Sequence, residues 1–92
     1  MIVVAIQHPV ADYATWKSVF DENNPGTMGA LFARINRKLG DSNTIAVVAG
    51  FATEDAAKGF AHNPDLKAAM DRAGITGAPR IEMYEEVEAN QY

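Results

Sequence analysis

The chain has 92 residues, enough for one domain of 1–92 and too few for two. Nearly half of them (48%) are apolar and 22% are charged, a balance that supplies a core and excludes a disordered chain. A net charge of −4 and a pI near 4.9 speak against nucleic acid and anionic membranes as partners.

Residues 2–8 are β-branched and apolar on both faces, the pattern of a strand buried on both sides, and Pro9 ends it by removing a donor. Asp12 is a suitable N-cap for a helix over 13–22, on which Tyr13, Trp16, Val19 and Phe20 form one aromatic-rich stripe. Asn23 to Gly26 stop that helix. A strand is predicted over 31–39, a tight turn over 40–43 and a second strand over 44–51, together a β-hairpin. Thr53 caps the next helix, with Glu54 and Asp55 in its first turn, where the helix dipole favours them. Asn63 and Pro64 break it and start a further helical segment with Leu66, Ala69, Met70 and Ala73 on its apolar face. Gly74 suits a left-handed stop, and the last strand is expected over 80–87.

The order βαββαβ, with the second helix broken, is the split-βαβ pattern of ferredoxin-like α+β domains. Right-handed crossovers then give a four-stranded antiparallel sheet of order 4-1-3-2 with its helices on one face. Ile2, Val4, Ile6, Leu31, Ala33, Ile35, Ile45, Val47, Ala49, Ile81 and Met83 are placed under the helices. The other face carries Val3, Ala5, Ala46 and Val48 on the two central strands, which is unusual for a sheet facing water. A second copy packed on that face, an isologous homodimer, resolves the difficulty; the plain alternative is a monomer with some exposed Val and Ala.

The stretch QHPVADYATWKSVFDE, from Gln7 to Glu22, resembles the start of small dimeric α+β-barrel proteins, a group that includes chains labelled cyclases and antibiotic-biosynthesis monooxygenases. FAHNPDLKAAMDRAGITGAP, from Phe60 to Pro79, is similar as well, so the resemblance covers most of the chain. It implies a pocket in each subunit between helices and sheet, used by cofactor-free oxygenases of the superfamily for aromatic, polyketide-like substrates. The Asn, Trp and His set of the heme-degrading relatives is not carried over, because the first strand has no Asn.

His8 ends the first strand on the helix side, at the mouth of that expected pocket. A general base or a hydrogen-bond partner for a substrate oxygen is one reading; a strand-end histidine bonded to a loop carbonyl is the other. Tyr13, Trp16 and Phe20 are candidate walls for a flat aromatic ligand, weighed against ordinary core packing, and Arg37 lies at the same sheet edge. Arg34, Glu82, Tyr84 and Glu86 fall on the dimer-side face, where ion pairs with Arg34 explain them better than acid–base work. His62 reads as a surface residue near a helix end. No spacing resembles a metal-ligand motif, there is no cysteine, and no cofactor is expected. Without a run of 18 apolar residues no membrane span is expected, and Met1 to Ile6 lacks the basic flank of a signal peptide, so a reducing cytoplasmic setting is expected. Three functions stay open: a cofactor-independent oxygenase or a cyclase/isomerase on an aromatic or conjugated carbonyl substrate, a non-catalytic ligand-binding dimer, and an interaction module whose function is the dimer surface.

Overall fold

A computed structural model describes all residues from Met1 to Tyr92. The elements are β1 (Ile2–Pro9), α1 (Tyr13–Glu22), a 3-10 turn (Pro25–Met28), β2 (Phe32–Lys38), β3 (Asp41–Phe51), α2 (Glu54–Ala61), α3 (Pro64–Arg72) and β4 (Arg80–Glu85). The strands form one antiparallel sheet of order β2-β3-β1-β4, the order that the split-βαβ pattern requires.

Local chemistry sets the boundaries. The Asp12 carboxylate accepts from the Thr15 backbone N–H at 2.9 Å, and the Thr53 hydroxyl from that of Ala56 at 3.1 Å. The Asn63 side chain accepts from the Asp65 N–H at 2.8 Å and starts α3 with Pro64 in its first turn, so the second helical region is two helices. Gly74 adopts φ 76° immediately after the cap of α3, a conformation that favours glycine. The hairpin turn differs from expectation. Lys38 pairs with Asp41, leaving Leu39 and Gly40 as the turn instead of residues 40–43, and β3 begins three residues earlier than the expected start at Thr44. Asp41 holds that start by accepting from the Asn43 N–H and the Thr44 hydroxyl.

Register assigns the two faces. Val4, Ile6, Ala49 and Phe51 lie against Ala57 and Phe60 of α2, while Ile45 and Val47 lie against Trp16 of α1 and Ala73. The three helices have 10, 8 and 9 residues and cover the central strands β1 and β3, not the full width of the sheet. The expectation that Leu31, Ile81 and Met83 sit beneath helices is therefore corrected: Leu31 precedes β2 and is 62% exposed, and Ile81 and Met83 are each 37% exposed.

The opposite face carries no helix. Its rows are Phe32–Gly50–Val3–Tyr84, Arg34–Val48–Ala5–Glu82 and Asn36–Ala46–Gln7–Arg80. Gly50 lets the Phe32 ring lie flat across β3; a Cβ there would collide with that ring. The Arg34 guanidinium stacks 4.7 Å above the same ring. Within the subunit Glu82 pairs with Arg80, at 2.6 Å along β4, and not with Arg34, which lies across the sheet on β2.

Candidate functional site

The strand order brings the end of β1 beneath α1. His8 opposes Ile45 in β3, and Ile45 opposes Arg37 in β2, so all three side chains emerge on the helix side. The period of α1 then stacks its aromatic residues over this end of the sheet. Trp16 lies 5.9 Å from His8 and 5.9 Å from Tyr13 between ring centroids, and 5.1 Å from Phe20 in a stacked arrangement. The Arg37 guanidinium caps the outer end of this row, 4.7 Å above the Tyr13 ring.

His8 is buried, 3% exposed, and its Nδ1 has no hydrogen-bond partner. A buried polar atom without a partner is costly in a fold. Burial pushes the His8 imidazole below the usual histidine value, opposed by the neighbouring carbonyls of His8 and Pro9. The ring is therefore neutral at pH 7 and able to accept a proton.

A cleft of about 50 Å³ opens beside it. Ile6, Val47 and His8 form its floor, Trp16, Phe20 and Asn23 one wall, and Phe60 with the apolar face of α3 the other. This is well under the roughly 300–1,000 Å³ of ligand pockets. Of the five residues singled out from the sequence, His8, Trp16 and Phe20 meet at this cleft. Tyr13 and Arg37 do not: the turn of α1 places them on the outer side of Trp16, stacked on one another. Trp16 is buried as the stripe predicts, whereas Phe20 is half-buried because one side of its ring faces the cleft.

Sequence reasoning missed Asn23 as a wall residue. Asn23 is the expected helix stop: its backbone N–H bonds the Val19 and Phe20 carbonyls and its side-chain Nδ2 donates to Val19 O at 3.1 Å. Leu66 and Met70, on the expected apolar face of α3, also line the cleft. No three His, Cys, Asp or Glu side chains are grouped so that they would hold a metal ion, and His62 is exposed at the end of α2. No helix is long and apolar enough to cross a membrane.

No protein-family model matches the chain, and no curated protein is similar to it in sequence. Solved structures do match. A protein of Caulobacter crescentus provisionally assigned as an antibiotic biosynthesis monooxygenase is 26% identical, with a TM-score of 0.77 over 95% of this chain and 90% of that one. SnoaB, a cofactor-independent oxygenase from Streptomyces nogalater, has a TM-score of 0.77 at 13% identity, over 96% of this chain and 94% of its own. A Deinococcus radiodurans protein with the same provisional assignment as the first has a TM-score of 0.75 at 14% identity, over 100% and 98%. Strand order and these end-to-end superpositions agree: the chain has the ferredoxin-like α+β fold of the antibiotic biosynthesis monooxygenase-like proteins.

Proposed function

We propose that the protein binds a neutral aromatic or conjugated carbonyl compound in the His8 cleft and oxidises it with dioxygen without a cofactor. The observation that carries this reading is the buried His8 imidazole with its unpartnered Nδ1 on an otherwise apolar wall. Likeness in fold to a cofactor-independent oxygenase supports the reaction class. In the reaction a methylene group flanked by aromatic rings or a carbonyl gives its proton to neutral His8. The resulting carbanion is itself the reductant of dioxygen. A C–O bond forms, a hydroperoxide results, and loss of water leaves a ketone, so one oxygen atom enters product and one enters water. Trp16 and Phe20 hold the ring system, and Tyr13 and Arg37 brace Trp16 from behind rather than touching the substrate.

The test is dioxygen uptake by the purified protein with a panel of hydroxylated polycyclic ketones. Turnover is expected with at least one of them, and His8→Ala should lower it by about 10²–10⁴-fold, the usual contribution of a positioned acid–base group. A second reading, a binding protein without turnover, draws on the absence of any carboxylate along the cleft to orient the imidazole. Saturable binding with no dioxygen uptake across the panel would select it.

The same reading includes a homodimer through the open sheet face. Val3, Ala5, Ala46 and Val48 are half-buried in the single subunit and have no helix above them, which supports a covering second sheet. Such an interface would bury about 1,600 Å² or more in total. Sedimentation should give twice the 9.9 kDa subunit mass, and Val48→Arg should return the protein to that mass. A wild-type monomer at micromolar concentration would refute the dimer.

A further inference from the structure

Next to the His8 cleft lies a second hollow of about 420 Å³, between α3 and the β4 edge. Leu66 and Met70, one turn apart on α3, line both spaces and therefore stand between them. The floor below is continuous. Val47, Ile6 and Ile81 are register partners across β3, β1 and β4, all on the helix side. Ile6 and Val47 floor the inner cleft and Ile81 floors the outer hollow. The exposure of Ile81 follows from this arrangement, since a trough rather than a helix lies above it.

We propose that Leu66 and Met70 are a movable partition. When they turn aside, the two hollows become one trough from His8 to the edge of β4, which takes an elongated apolar molecule carrying a hydrogen-bonding group at the end that meets His8. The proposal rests on the His8 cleft being a ligand site, and it adds what sets the size of the ligand. Three features favour it. The inner cleft alone is too small for a multi-ring ligand, whereas the joined spaces fall within the range of ligand pockets. Leu66 and Met70 are both partly exposed, and an unbranched methionine side chain re-orients at little cost. The helix itself need not move, because Asn63 and Pro64 fix its start and only side chains separate the chambers.

The test compares a one-ring probe, phenol, with a two-ring probe, 2-naphthol, by titration calorimetry on the full chain. Met70→Ala should tighten 2-naphthol about fivefold relative to its effect on phenol, because the second ring then enters the outer hollow without displacing a side chain. Ala61→Phe, which narrows the outer hollow without touching the inner one, should weaken 2-naphthol and spare phenol. His8→Gln should weaken both. If both probes bind in a His8-dependent way but respond alike to Met70→Ala, or not at all, the partition is refuted and the cleft reading stands. If neither probe binds any variant, the cleft reading fails and takes the partition with it.

Discussion

The helix-side core has two halves that are built differently. Under α2, Val4, Ile6, Ala49, Phe51, Ala57 and Phe60 form a cluster without a polar atom from any side chain, and the Phe51 and Phe60 rings pack at a tilt, 5.0 Å between centroids, with 0% and 2% exposure. Under α1, Val10, Trp16, Ile45, Val47 and Ala73 surround a histidine with an unpartnered nitrogen, and a cleft remains between α1 and α3. The first half is closed except along Ile6 and Phe60, which also border that cleft. The second keeps space and an unmet hydrogen bond, two features that a fold gains nothing from and a ligand site needs. A chain of this size has little stability to spare, so the incomplete half depends on the closed one.

Truncation is the strongest way to break this comparison. Phe60→Ala should cost about 3–5 kcal/mol in urea unfolding, since the ring is fully buried against Phe51 and leaves a cavity behind. Phe20→Ala should cost less, about 1–2 kcal/mol, because its ring is partly exposed at the cleft and less area is lost. Equal costs would mean that the α1 half is packed as tightly as the α2 half, and that the cleft closes in solution.

What the sequence revealed divides along the same line. The apolar, β-branched runs of β1 and β3 and the caps at Asp12, Thr53 and Asn63 are local and specify the elements, while the order βαββαβ with right-handed crossovers specifies the strand order. The stripe of Tyr13, Trp16 and Phe20 was equally plain as a stripe. Which of its members reach a cavity was not, because that depends on where α3 crosses α1, a packing outcome set by residues some fifty positions away. For the same reason Leu66 and Met70 looked like ordinary core. The outer strands were misjudged at Ile81 and Met83 because alternation reports which face a side chain is on, not whether a helix is long enough to cover it.

The two halves should also respond differently to acid, an effect smaller than the Phe60 truncation and specific to the α1 half. His8 is held below its ordinary value in the folded state by burial, whereas in the unfolded chain it titrates near 6.5. Between those two values the unfolded chain binds more protons than the native one, so unfolding free energy falls as pH is lowered through 6.5 and levels off once folded His8 is protonated too. Asp12 and Asp41 are held below the ordinary carboxylate value by their Thr15 and Thr44 bonds, and they lose their contributions only below pH 4, outside this window. Urea midpoints of wild type should therefore decline from pH 7.5 to pH 5, and His8→Gln, which keeps a polar side chain without an ionisable group, should flatten the decline. A slope that persists in His8→Gln would assign the acid sensitivity to another group and would remove the difference in acid response between the two halves.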